Sequence, residues 1–139
     1  MSSQLFVENI LSQMSLEQKL SQLFVVGYWG ETVDQKLFNW VENYLGGVIL
    51  FADNIVSQKQ VSDTIAEIQR RAALELFISI DQEGGYVERI KGSIQVPTAM
   101  ALAATNDPVN IFIASEIIAK ELYGDIVYKS WNEKNEIFL

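Results

Sequence analysis

The sequence predicts an α/β fold with parallel strands, on three observations. Short apolar runs, Leu23-Phe24-Val25-Val26, Val48-Ile49-Leu50-Phe51 and Leu76-Phe77-Ile78-Ser79-Ile80, begin at intervals of roughly 25–30 residues, and each is apolar enough for a strand buried on both faces. Helix-period segments lie between them. Each run ends in polar or glycine-bearing sequence: Gly27-Tyr28-Trp29-Gly30-Glu31, Asp53-Asn54 and Asp81-Gln82-Glu83. Strand and helix alternating in this way give parallel strands joined by right-handed crossovers.

The elements follow in order. Ser15 with Gln18 three residues on forms a capping box ahead of the first strand. Val33, Leu37, Trp40, Val41, Tyr44 and Leu45 fall at helical spacing, and Gly46-Gly47 is the expected stop. Trp40 and Tyr44 are expected as core or helix–sheet contacts. Ser57 and Gln60 open a second amphipathic helix along Val61, Ile65, Ile68 and Ala72, and the Arg70-Arg71 doublet within it is expected to be solvated. Thr98 caps a short alanine-rich turn whose small residues, Ala99 to Ala104, predict close packing and no chemistry. Asp107-Pro108 supplies an N-cap and a first-turn proline for a helix through Ile111, Ala114, Ile118 and Leu122. From Tyr123 to Leu139 the period is lost; Ile126-Val127-Tyr128 is a candidate fourth strand.

Two architectures use this alternation. A closed eight-stranded barrel needs roughly 200–250 residues, whereas an open doubly wound sheet fits in a chain of 139. Length favours the open sheet. The strand ends favour the barrel, which collects its site from βα loops, and neither G-x-G-x-x-G nor a phosphate loop follows the first strand.

Composition narrows the chemistry. The chain has no cysteine, which excludes disulfides, thiol catalysis and thiolate metal sites, and no histidine, which excludes Ser-His catalysis and zinc sites of the ordinary kind. Ten basic against 18 acidic residues give a net charge of −8, which argues against a nucleic-acid partner because phosphate contacts need clustered Lys and Arg. No apolar run is long enough to span a membrane, and the N-terminus lacks a basic n-region, so a cytoplasmic location is expected. Neither a cofactor nor a metal is expected.

The densest motif is Phe77 to Arg89. A strand ends in Asp81, then Glu83, then Gly84-Gly85, so an acidic pair meets a turn that glycine enters most easily. This is the layout of a ligand-facing strand end. Asp81 and Glu83, two apart, would face the same way on an extended chain and could approach the ~5–5.5 Å of a retaining glycosidase pair. Nothing in the sequence drives their pKa values apart as such a pair requires. Glu83 is expected instead to hold the glycine turn through backbone N–H groups. Trp29 is expected as a packing or partner-facing aromatic rather than a sugar-stacking one.

Three segments carry a resemblance. Gly46-Gly47-Val48-Ile49-Leu50-Phe51-Ala52-Asp53-Asn54, then Ile80-Asp81-Gln82-Glu83-Gly84-Gly85-Tyr86-Val87-Glu88-Arg89, then Val96-Pro97-Thr98-Ala99-Met100-Ala101-Leu102-Ala103-Ala104-Thr105 resemble the N-terminal part of glycoside hydrolase family 3. They come in that family's order and spacing, over about Ser15 to Leu122, and are most similar to its β-N-acetylhexosaminidase branch. The resemblance implies a partial TIM (β/α)8 barrel, about the first three βα units, with residues 1–122 as barrel and 123–139 as a divergent tail. It implies hydrolysis of terminal β-linked N-acetylglucosamine, on cell-wall fragments in carbohydrate metabolism, as the activity of the whole family enzyme. By the same resemblance Asp81 accepts hydrogen bonds from sugar hydroxyls and Arg89 sits beside it to hold the ligand; a guanidinium fork suits that role. The family nucleophile comes from a later strand, so Asp81 and Glu83 are not assigned as a catalytic pair.

The departures are specific. Tyr86 stands where the family usually has arginine, and Asp53 where arginine often precedes the asparagine. The family's histidine acid/base and its aspartate nucleophile have no counterpart here. The expectation is therefore a truncated, inactive piece with a remnant sugar site and no catalytic residue of its own. The alternative is a non-catalytic α/β module that self-associates through open sheet edges.

Overall fold

The computed structural model describes residues 3–123, and the candidate strand at Ile126-Val127-Tyr128, with the rest of the tail from residue 124, lies outside them. The elements run α1 (Ser3–Gln13), α2 (Leu16–Ser21), β1 (Val25–Val26), α3 (Gln35–Glu42), β2 (Gly47–Leu50), a 3₁₀ turn (Ala52–Asn54), α4 (Gln58–Arg71), β3 (Phe77–Ile80), α5 (Ala99–Ala104) and α6 (Pro108–Glu121). The strands form one parallel sheet in the order β1-β2-β3. Register pairs Val26 with Val48 and Leu50 with Ile80. The described chain is an α/β fold with the three parallel strands that the alternation predicts.

The helix starts are set by caps. Ser15 accepts from Gln18 N while Gln18 Oε1 accepts from Ser15 N, the reciprocal box expected at α2. Asp34 accepts from Leu37 N at 2.8 Å to open α3, later than Val33. Ser57, Thr98 and Asp107 cap α4, α5 and α6. At α4 the box is incomplete: Gln60 Oε1 accepts from Val56 N rather than from the cap. The stop of α3 also differs from expectation. The left-handed residue there is Tyr44, at φ 64, and Gly46 serves a close approach instead, since a Cβ on it would lie 2.1 Å from the Gln22 carbonyl oxygen. Helix α1 has no counterpart in the sequence reading.

One face of the sheet is covered. Val48 and Leu50 of β2, with Tyr28, Ile78 and Ile80 alongside, meet Leu37, Phe38 and Val41 of α3 and Val61, Ile65 and Ile68 of α4 in a single apolar cluster. Each fully buried aliphatic side chain there contributes about 1.5–3 kcal/mol. Two buried amides tie the connections to this core. Gln69 exchanges both of its amide groups with the backbone of Leu76 just before β3, and Asn54 clamps the loops after β1 and β2. Arg71 is not solvated as expected: its guanidinium lies 3.9 Å over the Phe38 ring and bonds Glu67, linking α4 to α3. Trp40 likewise faces outward on α3, with Lys36 over its ring.

The other face is open. Residues alternate along strands, so Val25, Gly27, Gly47, Ile49, Phe51 and Phe77 share the side away from the helices; a Cβ on Gly47 would meet Val25 and Phe77 from both neighbours. Phe77 is 80% exposed. The expectation of strands buried on both faces fails for β1 and β3, because the described helices that pack on the sheet lie on one side of it; in β2 Gly47 is buried between the flanking strands and Ile49 is half-buried. Helix α5 has no buried residue, against the close packing expected of it. Among the described residues no helix is long and apolar enough to cross a membrane.

Candidate functional site

All three strands deliver their C-terminal ends to one edge of the sheet, because they are parallel and in register. Asp81 follows Ile80 directly at that edge. The chain then turns through Gly84 and Gly85 at φ 82° and 59°, a region L side chains rarely adopt. A Cβ on Gly85 would lie 2.1 Å from Thr98 Cγ2, so the turn also packs against the segment leading into α5. Glu83 does not hold this turn. Its side chain is exposed, and the N–H groups of Gly84 and Gly85 are taken by the carbonyls of Val87 and Val96. The turn sends the chain back toward the strand end, where Arg89 N donates to Gln82 Oε1 at 2.7 Å.

This return brings together the two residues singled out from the sequence. Arg89 Nη2 donates to Asp81 Oδ2 at 3.0 Å. The Asp81 side chain stays 40% exposed while that of Arg89 is 24% exposed, so the carboxylate keeps acceptor capacity toward solvent as the guanidinium orients it. Arg89 Nε is buried and finds no hydrogen-bond partner among the described residues. Tyr86, at the tip of the turn, is fully solvated. Among the described residues no group of three or more carboxylates gathers as a metal site.

A second feature lies along the same edge. A cavity of about 420 Å³ is lined by Gly27, Tyr28, Trp29, Phe51 and Asp53. Trp29 does not pack as a core aromatic; it is 91% exposed. Asn54 was not singled out from the sequence, although it is the buried residue that shapes this region. Its amide nitrogen donates to the carbonyls of Tyr28 and Gly30, and its oxygen accepts from Phe51 N. The only signal in the sequence was an Asp-Asn pair after an apolar run, which marks a turn without revealing its long-range partners.

The profile of the Glycosyl hydrolase family 3 N terminal domain matches residues 15–131. The chain belongs to that family. The family 3 match extends past Leu122 into the tail. A beta-hexosaminidase from Mannheimia succiniciproducens is 39% identical over 66 residues, covering 46% of this chain and 19% of the relative. A beta-N-acetylglucosaminidase/beta-glucosidase from Cellulomonas fimi is 28% identical over 118 residues, covering 84% of this chain and 20% of the relative. The solved family 3 β-N-acetylglucosaminidase from Paenibacillus sp. str. FPU-7 superposes with a TM-score of 0.73 at 38% identity, covering 78% of this chain and 22% of that one. The chain spans about a fifth of the length of these relatives.

Proposed function

We propose that this chain carries part of the sugar-binding site of a β-N-acetylhexosaminidase-type glycoside hydrolase, built on about three βα units of a (β/α)8 barrel. The observation that carries the reading is the Asp81–Arg89 pair, with Nη2 to Oδ2 at 3.0 Å on a half-open strand end. Arg89 fixes one carboxylate oxygen, and the remaining acceptor positions suit the hydroxyls of a terminal N-acetylglucosamine. Relatives named as β-hexosaminidase and β-N-acetylglucosaminidase support that sugar class, and cell-wall fragment metabolism in the cytoplasm is the setting that fits it. This polypeptide does not hydrolyse the sugar itself. It contains no histidine to act as the family's proton donor, and the strand-end carboxylate is engaged by Arg89.

Titration of the isotope-labelled chain with N-acetylglucosamine tests this. Resonances of residues 80–90 shift on addition, and Asp81→Ala weakens binding by about 10–100-fold, the loss of charge-assisted hydrogen bonds. Turnover of an aryl N-acetyl-β-glucosaminide that Asp81→Ala abolishes overturns the assignment of Asp81 to binding alone.

The open sheet favours a second reading, a non-catalytic module that self-associates. β1 and β3 each have one strand neighbour among the described residues, and the uncovered face carries Phe77 and Val25. Sedimentation at micromolar concentration then shows dimers or larger species. A monomer throughout that range removes this reading.

A further inference from the structure

Arg89 reaches Asp81 in a posture that leaves one of its own donors unpaired. Its Nε is buried without a hydrogen-bond partner among the described residues, and a guanidinium free to choose its place would exchange that geometry for one with every donor satisfied. The backbone must therefore hold the residue where it is. The ladder across the Gly84-Gly85 turn does not reach far enough. Its bonds, Glu83 N to Val87 O at 2.8 Å and Gly84 N to Val87 O at 3.2 Å, end before Arg89. Beyond them the Gln82 side chain takes over, its Oε1 accepting from Arg89 N at 2.7 Å. On the following side Ile90, 3% exposed, is anchored in the apolar core.

Asp81 and Gln82 are consecutive, so one dipeptide at the end of β3 grips Arg89 at both of its ends. The Asp81 carboxylate takes Nη2 at 3.0 Å, and the Gln82 amide oxygen takes the backbone N–H. A backbone N–H only donates, so the oxygen of Gln82 is the atom that faces it, and an apolar side chain of the same length would leave that N–H without its acceptor. A long side chain rooted on a loop meets a fixed partner only while its root is fixed. We propose that Gln82 is a positioning residue of the sugar site. It touches no sugar, and it acts by fixing the backbone from which Arg89 orients the Asp81 carboxylate. The proposal rests on the reading of Asp81 as a sugar acceptor.

The test follows the Arg89 Nε–H resonance of the isotope-labelled full chain, assigned by its loss in Arg89→Lys, alongside titration with N-acetylglucosamine. Gln82→Met keeps the side-chain length and removes the acceptor. It is expected to weaken sugar binding about three- to tenfold. In the sugar-free chain it speeds solvent exchange of the Arg89 Nε–H by about tenfold, because the released arginine brings Nε to water. Gln82→Glu keeps an oxygen within reach of Arg89 N and restores both properties. Weaker binding with the Arg89 signal unmoved overturns the proposal, since Gln82 would then act on the sugar or on Asp81 directly. An affinity and an Arg89 signal that Gln82→Met leaves unchanged also overturn it, as does a Gln82→Glu variant that fails like Gln82→Met. Exchange of the β2 amide protons separates release of Arg89 from a general loosening: they exchange as in the parent if the proposal holds, and an equal acceleration there overturns it. A parent chain that binds no N-acetylglucosamine, while Gln82→Met still releases the Arg89 signal, removes the sugar reading of Asp81 and keeps the hold of Gln82 on Arg89. Gln82 is half-buried and lies outside the apolar cluster, so these variants retain the fold.

Discussion

Tyr28 shows how one atom's surroundings set a measurable property. It sits between the helices and the sheet at 9% exposure, and its hydroxyl finds no hydrogen-bond partner among the described residues. Burial pushes its pKa up from 10.0 to about 12. Below pH 10 the group is protonated folded or unfolded and adds no pH dependence. Between pH 10 and about 12 the unfolded chain releases the proton while the folded chain keeps it. Stability therefore falls with rising pH across that window, by about 2–3 kcal/mol in full. Tyr28→Phe removes a buried unpaired hydroxyl and is expected to raise stability by about 1 kcal/mol at neutral pH. Denaturant unfolding at pH 7 and pH 11 checks both: the variant gains at pH 7 and loses less than the parent at pH 11. Glu67 behaves in the opposite sense. Hydrogen bonds from Arg70 and Arg71 hold its carboxyl below the ordinary value, so its contribution is present above that value and is lost as pH falls through the lowered one.

Among the elements, the turn after β3 governs the site. Its local geometry demands Gly84 and Gly85, and tertiary packing excludes a side chain at either, since a Cβ on Gly84 would lie 2.5 Å from Val96 Cγ2 and 2.9 Å from the Val96 carbonyl oxygen. Gly92 offers the internal comparison: it has φ 81 and nothing within 4 Å of a would-be Cβ, whereas Gly85 would drive a methyl into Thr98. Gly92→Ala is expected to cost only backbone strain, about 1 kcal/mol, and Gly85→Ala about 2–3 kcal/mol through strain and displacement of the Val96–Thr98 segment. Because this turn carries Arg89 back to Asp81, Gly85→Ala also weakens sugar binding while Gly92→Ala does not. Equal losses of stability from the two variants would show that the Thr98 contact is soft. The caps of α2, α4, α5 and α6 were readable because each is a contact between residues no more than three apart. The end of α3 was not, because Gly46-Gly47 looked like a stop signal while Gly46 serves a close approach to the segment before β1 and Gly47 sits between β1 and β3.

The molecule as a whole is a sheet with one dressed face and one bare face. Parallel sheets are normally covered on both sides, and an exposed Phe77 beside Val25 is the kind of apolar surface that drives association. Phe77→Glu puts a charge on that surface, at the start of an outer strand, without touching the helical core. It is expected to shift sedimentation at micromolar concentration from associated species to monomer, and to leave N-acetylglucosamine binding unchanged. An unaltered sedimentation profile would place the contact elsewhere. The family match covers most of this chain, while the matched share of each relative is about a fifth.

Local chemistry wrote the order and kind of the elements into the chain: apolar runs for strands, hydroxyl and carboxylate caps for helices, a strand-end acid and a double glycine. Those signals act over a few residues, so they survive without knowledge of neighbours. Which face of each strand meets a helix, that Arg71 lies on Phe38, and that Asn54 binds two loops across the sheet edge were decided by contacts between distant segments. Such contacts depend on which surfaces the packed elements leave vacant, and no short-range pattern records that.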